Sequence, residues 1–283
     1  MTELQASTAF EWVRYPWGQA LRCRPLAEFA QHCFTTRRPV IPSGDGAAGD
    51  AWESISRAFG LPRHAMVRFR QIHGARVLII KAADVTRAEV DEWGVADAAV
   101  TDSGAVALSV KVADCVPLLI ADPRSGAVAA VHAGWRGALS GVVGAAVREL
   151  ESAFSAGPAN LVAAIGPSIG PCCYRVGPEL RDRYLEAGQP ADLVARWFTP
   201  SPPIAARHEV PGFEPASADL GRPLWLNMWS VVSDQLELAG LATGNVHVAR
   251  LCTSCHRDVL HSYRVDGPAA GRMVGVIRAT QRD

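Results

Sequence analysis

Three residues of this 283-residue chain are suited to holding one metal ion: His73 in QIHG, Cys115 in ADCVP, and His132 in VHAGWRG. A thiolate and two imidazoles are ligand types that zinc prefers, and three ligands leave a coordination position open for water or substrate. Cys115 follows His73 by 42 residues and precedes His132 by 17. These gaps are much longer than those of sequence-local zinc motifs, so spacing alone carries little weight. Taken singly, a Cys is more often a buried small hydrophobe and a His a satisfied polar residue.

The surroundings of the three residues shift that balance. Asp114 puts a carboxylate where a strand pattern ends and the chain turns at Pro117. An unpaired buried carboxylate is costly, so Asp114 should have a partner, and it is the candidate general acid/base. Small residues beside His132 allow close backbone approach. Trp135 offers a flat apolar surface and Arg136 a planar cation, together suited to a planar or anionic ligand. Their competing roles are core filling and a structural ion pair, and the residue pattern by itself favours these.

The elements that would position these groups are clearest in mid-chain. Val106, Leu108, Val110 and Val112 alternate with Ala107, Ser109 and Lys111, as on a strand. Residues 118–120 and 128–131 are short apolar runs that suit buried strands, joined by a hairpin turn over 122–126. From Leu139 to Phe154 the spacing changes to that of an amphipathic helix, with Gly141 and Gly144 inside it. His132 thus falls at a strand end before a helix, a common place for sites in α/β folds. Further strands are expected at 161–165, 246–251 and 273–277, and helices at 179–187 and 225–240. Residues 39–49 and 198–223 read as loops. Residues 1–33 read as an N-terminal extension with some helical pattern, and 34–283 as a single mixed-sheet α/β domain.

Hydrophobic residues make up 49% and charged residues 20%, a globular balance without extended disorder. Lys+Arg and Asp+Glu both number 28, so nothing in the charge suggests a nucleic-acid or polybasic membrane surface. No run is apolar enough for a transmembrane helix, and no secretory signal pattern opens the chain. The expected location is the cytoplasm and the expected state a monomer. The seven cysteines are an odd number for a disulfide framework. Cys172-Cys173 reads as part of a rigid Gly-Pro turn. Cys252 and Cys255 form a C-x-x-C with no partner pair at finger-like spacing, consistent with a redox or packing role or a second metal site.

The motifs QIHG, ADCVPLLI, AAVHAGWRG, AIGPSIGPCCY and the late SYR…GR resemble those of the YfiH family, also called the polyphenol-oxidase laccase-domain family. The resemblance runs from about Phe34 to the C-terminus. It implies an α/β/β/α fold shared with cysteine-hydrolase-like toxins, and a catalytic zinc on His73, Cys115 and His132. It also implies phosphorolysis of adenosine, inosine and methylthioadenosine, and adenosine deamination. The ligands would be a purine nucleoside and phosphate, with Arg37, Gln71, Trp135, Arg136 and Arg264 as candidate contacts. The chain departs from the family pattern at Arg175, Leu224-Trp225-Leu226 and Val265, none of them in the metal trio. Two other enzyme readings remain. Cys115 would be the nucleophile of a cysteine-type hydrolase acting on peptidoglycan precursors. Copper on the same trio would make a polyphenol oxidase, for which eight His without a His-x-His pair is a poor ligand supply. A structural zinc site in a binding module is the non-enzymatic reading.

Overall fold

A computed structural model describes residues 5–42, 49–81, 84, 93–207 and 222–280. Its alternating apolar runs assemble into two six-stranded mixed sheets. The first has the order β1 (Phe10–Tyr15), β2 (Gly18–Cys23), β3 (Ala30–Thr35), β15 (Met273–Ala279), β7 (Ala107–Val112), β4 (Met66–Val67). The second runs β14 (Val246–Val248), β10 (Val162–Ile165), β8 (Val116–Ala121), β9 (Val128–Ala133), β6 (Ala98–Thr101), β5 (Val77–Ile79). A small third sheet joins β11 (Arg175–Val176), β13 (Leu224–Leu226) and β12 (Phe198–Thr199).

Period-2 alternation sorts the side chains into layers. Val106, Leu108, Val110 and Val112 meet Leu119, Ala121, Val128 and Ala130 between the two large sheets. On the outer face of the first sheet, Ala107 and Val276 pack with Trp52 and Ile55 of the helix Gly49–Ala58 and with Phe59 just after it. On the outer face of the second, Leu118, Ile120, Ala129 and Val131 join a core with Val143, Ala146 and Leu150 of the helix Val142–Phe154. Val232 and Leu236 of the helix Met228–Leu238 complete that layer. The architecture is therefore the expected single-domain α/β/β/α sandwich. Leu118 and Leu119 are sequence neighbours buried in different cores. Each contributes roughly 1.5–3 kcal/mol by burial, which locks the register of β8.

Several expectations need correction. The described part of residues 1–33 is not an appended extension. It forms β1, β2 and most of β3, and β3 pairs antiparallel with β15. Leu21 and Cys23 are wholly buried in the inter-sheet core, so a boundary at residue 34 would cut through a strand. The strand signal is hidden because β1 is an edge strand with a largely half-exposed pattern. The single helix expected over 139–154 is two, Trp135–Leu139 and Val142–Phe154, divided at Gly141. Gly141 has φ of 83°, a left-handed value that ends one helix and opens the next. Trp225 lies on β13 rather than in the following helix. That helix starts at Met228, where the Asn227 side chain accepts the Ser230 N–H at 3.2 Å. The hairpin turn forms as expected, with the Asp122 carboxylate accepting the N–H groups of Arg124 and Ser125. Parts of the loops expected at 39–49 and 198–223 lie outside the described residues. Among the described residues, no helix is long and apolar enough to cross a membrane.

Candidate metal centre

Strand alternation brings the site together. On β9, Val128 and Ala130 face the inter-sheet core, and His132 shares their side. On β8, Leu119 and Ala121 face the same core, and Cys115, just before the strand, has their parity and packs against it. Asp97 stands one residue before β6 and shares the side of Ala99. In register, Pro117 pairs with His132, and Ala98 with Val131. Cys115, His132 and Asp97 therefore converge at one end of the second sheet, in the mouth between the two sheets. His73 arrives from the loop before β5.

The structure brings all three candidate ligands together. Cys115 Sγ is 3.8 Å from His73 Nε2. One ligand atom from each of His73, Cys115 and His132 lies within 4.8 Å of the others. The exposure is graded: His73 is exposed, Cys115 half-buried and His132 buried, so the centre opens on the His73 side. Gly134 completes the cradle, since a Cβ there would stand 2.9 Å from both Cys115 Sγ and His73 Cδ2.

Asp97 organises the centre. Fully buried, it accepts Nδ1 of His132 at 2.8 Å, which leaves Nε2 of that ring as the ligand atom. The same carboxylate accepts the backbone N–H groups of Ile72, His73 and Gly74 at 3.2, 2.8 and 2.7 Å. Those bonds hold His73 at φ of 61°, a conformation uncommon for a side-chain-bearing residue. A carboxylate behind a ligating imidazole is the usual outer support of a metal site. Burial alone would raise the Asp97 pKa. The hydrogen bonds from His132, Gly74 and His73 and the charge of His132 hold it below the usual carboxylate range.

Charge couples Cys115 to His132. Burial by itself pushes the Cys115 thiol up, but the charge of His132 and hydrogen bonds from His132 and His73 bring it down to about 6. Burial likewise lowers His132, and the charge of Cys115 with the Asp97 hydrogen bond raises it to about 9. The thiol is thus poised as a thiolate, the form that both metal binding and nucleophilic attack require.

Two cavities meet at this centre and share His73, Ala113, Cys115, Arg136 and Tyr263. One, of about 210 Å³, is walled by Trp135, Ile169, Tyr174 and Met228. The other, of about 500 Å³, carries the cations Arg70, Lys111, Arg136 and Arg272, and among the described residues no carboxylate lines it.

The remaining candidates divide. Trp135 lines the first cavity while also packing against the outer core of the second sheet, and its ring lies 4.3 Å from the Arg136 guanidinium, which lines both cavities. Arg264 also lines that cavity, over the Tyr174 ring at 5.1 Å, with Nη1 donated to the Arg175 carbonyl. Gln71 lines the second cavity, but its amide exchanges two hydrogen bonds with the Lys111 backbone, at 2.8 and 2.7 Å. It ties the His73 loop to β7. Asp114 reaches the first cavity at φ of 82° and has the partners it needs: Thr253 Oγ1 donates to one oxygen and the Arg264 N–H to the other, both at 2.5 Å. Burial raises its pKa despite these bonds. Arg37 is not brought to the centre. It donates to the Arg257 and Leu260 carbonyls, approaches Asp266 at 3.9 Å, and lines neither cavity.

The sequence reading missed Asp97, Tyr174, Met228, Arg70 and Arg272. Asp97 had one available signal, a charge in the otherwise small and apolar run VADAAV.

The family model described as multi-copper polyphenol oxidoreductase laccase matches residues 47–280. The chain belongs to this laccase-domain family. It is similar to purine nucleoside phosphorylase YlmD of Geobacillus stearothermophilus, with 32% identity covering 79% of this chain and 75% of that protein. It is also similar to adenosine deaminase RL5 of an unknown prokaryotic organism, with 29% identity covering 81% of each chain. The crystal structure of the Bacillus licheniformis hypothetical protein YfiH shares the fold, with a TM-score of 0.79 at 23% identity, covering 96% of this chain and all of that one. The laccase-domain fold, in this chain, thus carries a thiolate-imidazole trio between an aromatic cavity and a cationic one.

Proposed function

We propose that this laccase-domain protein is a zinc-dependent purine nucleoside enzyme that cleaves adenosine, inosine or methylthioadenosine with phosphate and also deaminates adenosine. The observation that carries the reading is the junction of an aromatic cavity with a cationic one at His73, Cys115 and His132. The donor set fits zinc: one thiolate and two neutral imidazoles leave a net charge of +1 and an open position. Held by these three residues, zinc would supply a Lewis acid beside the bound nucleoside.

The chain's own residues account for binding and orientation. Trp135 and Tyr174 offer flat faces for a purine, and Met228 and Ile169 exclude water around it. Arg70, Arg136 and Arg272 attract and orient an anion on the opposite side of the centre. A phosphate oxygen there would form the new bond to the ribose C1′ as the bond from C1′ to the purine nitrogen breaks. Asp114, whose pKa is raised by burial, is the group in the aromatic cavity suited to hold a proton near the base. The names of the relatives YlmD and RL5 favour the same substrate class.

A second reading, a cysteine-type hydrolase acting on peptidoglycan precursors, is favoured by the lowered Cys115 pKa opposite a raised His132. One experiment separates the readings. Metal-characterised protein is incubated with adenosine, inosine and methylthioadenosine, with and without phosphate. Free base and ribose 1-phosphate (or its methylthio analogue) appearing only with phosphate supports phosphorolysis. Inosine formed from adenosine supports deamination. No turnover of any nucleoside, or activity retained after complete chelation, overturns the zinc-dependent reading and favours the hydrolase. Stoichiometric copper with oxygen uptake would instead favour a polyphenol oxidase.

A further inference from the structure

A second cluster of ligand-type residues lies apart from the trio. Cys172 and Cys173 sit in the turn after β10, and Cys252 and Cys255 in the segment after β14. One sulfur from each lies within 4.8 Å of the other three. Cys255 Sγ is 3.6 Å from Cys172 Sγ and 3.5 Å from Cys173 Sγ, across sequence separations of 83 and 82 residues. All four are free cysteines. The C-x-x-C that lacks a partner pair in sequence therefore gains one in space.

The dimensions identify the kind of site. Four thiolates at about 2.3 Å from a tetrahedral zinc ion stand about 3.8 Å apart, close to the separations here. We propose that Cys172, Cys173, Cys252 and Cys255 form a closed, structural zinc site, distinct from the trio. Four sulfur ligands fill a tetrahedron and leave no position for substrate, and an all-thiolate tetrahedral set selects soft or borderline metals such as zinc.

The backbone around the cluster is prepared for it. The Gly170 N–H donates to Cys252 Sγ at 3.2 Å, a contact that offsets thiolate charge. A Cβ on Gly170 would stand 2.8 Å from the Trp229 ring and 3.0 Å from Cys252 Cβ, so the close approach needs glycine. Ser168 and Cys252 form a parallel bridge, and the Thr253 N–H donates to the Ser168 carbonyl at 3.1 Å. His256 Nδ1 closes the second segment on the Cys252 carbonyl at 2.8 Å. The two segments also build the aromatic cavity. Ile169 and Tyr174, on either side of the first cysteine pair, line it, and Thr253, within the C-x-x-C, holds Asp114. Zinc here would fasten together one wall of the pocket, with the four thiols giving up their protons as it binds.

The test is a metal count by mass spectrometry on protein purified without added metal. Wild type is expected to hold two zinc ions per chain, and Cys115→Ala/His132→Ala one. X-ray absorption of that double variant, which keeps all four cysteines, should give a four-sulfur shell at about 2.3 Å. Cys172→Ser/Cys255→Ser should lose one zinc relative to wild type. If that variant fails to fold, the absorption result decides alone. Equal zinc in wild type and Cys115→Ala/His132→Ala, with the four-sulfur shell present, would count against the trio and not against this site. No metal in Cys115→Ala/His132→Ala, a metal other than zinc, a shell containing nitrogen or oxygen, or recovery of these cysteines as disulfides after native trapping would each overturn the proposal.

Discussion

His132 donates its Nδ1 proton to Asp97 across 2.8 Å, with the two side chains 3% and 0% exposed. The same carboxylate anchors the loop that carries His73. One buried charge therefore sets the direction of two of the three ligands. Asp97→Asn is nearly isosteric but replaces an acceptor with a donor. It should weaken metal binding by about 10–100-fold, read by chelator competition. Unchanged affinity would mean that Asp97 serves the fold and not the metal.

Gly134→Ala tests the cradle by sterics alone. Its φ of −74° suits alanine, so the backbone is not strained. The added methyl would press on Cys115 and His73 at 2.9 Å. The metal-free variant should melt close to metal-free wild type while its metal affinity falls at least about tenfold by chelator competition, since outer supports of a site already carry that much. Full metal occupancy at the wild-type affinity would contradict the assigned trio.

In chelator-treated protein, Cys115 should react with iodoacetamide along a pH curve with its midpoint near 6, against 9 for an ordinary thiol. His132→Ala removes the strongest opposing attraction and should move that midpoint up. Added zinc should suppress the reaction. A midpoint that ignores His132 would show that the thiol and the imidazole are not coupled.

If the cavities divide the work as proposed, kinetic constants should divide too. Trp135→Ala should raise KM for the nucleoside several-fold with a smaller effect on phosphate. Arg70→Gln/Arg272→Gln should do the reverse, weakening phosphate by about tenfold or more per lost charged hydrogen bond. Both variants weakening both ligands equally would argue for a single undivided pocket.

His32 gives the fold a pH dependence of its own. Its Nε2 accepts the Cys23 N–H at 3.0 Å, and Nδ1 bonds to the Ala30 carbonyl at 3.1 Å. Burial lowers its pKa from 6.5 to about 4. Between those values the unfolded chain binds a proton that the native chain refuses. The contribution is thus fully present above pH 6.5 and is lost as pH falls toward 4, by about 3 kcal/mol at most. Denaturant titrations of wild type and His32→Gln at pH 7 and pH 4.5 should converge at the lower pH. A constant gap would remove His32 as the cause.

What could be read from the chain follows the strength of local signals. Val106 to Val112 and the turn at Asp122 carry alternation and turn chemistry within a few residues, and both were legible. The N-terminal strands were not, because Leu21 and Cys23 become core only when β2 and β3 meet β15, over 230 residues away in sequence. The trio was visible because each ligand sits in a dense motif. Asp97 was not, since its meaning lies in backbone groups of residues 72–74 that strand pairing brings to it. Arg37 was misplaced because the sequence does not show which arginines the fold turns toward a cavity, and Arg37 is held at Arg257 and Leu260, away from both. Departures from the family pattern at Arg175 and Trp225 are cross-strand partners, a relationship that only the third sheet reveals.

The two cavities share the residues at the metal centre, and each has further walls of its own. Trp135, Met228 and Tyr174 belong to one side, and Arg70 and Arg272 to the other. If the chambers divide the work as proposed, mutations in the separate walls of one could accumulate with little effect on the other. Over evolutionary time such a layout lets descendants exchange the partner reactant while keeping the same organic ligand, or the reverse, and diversity among relatives would arise by replacing half a site at a time.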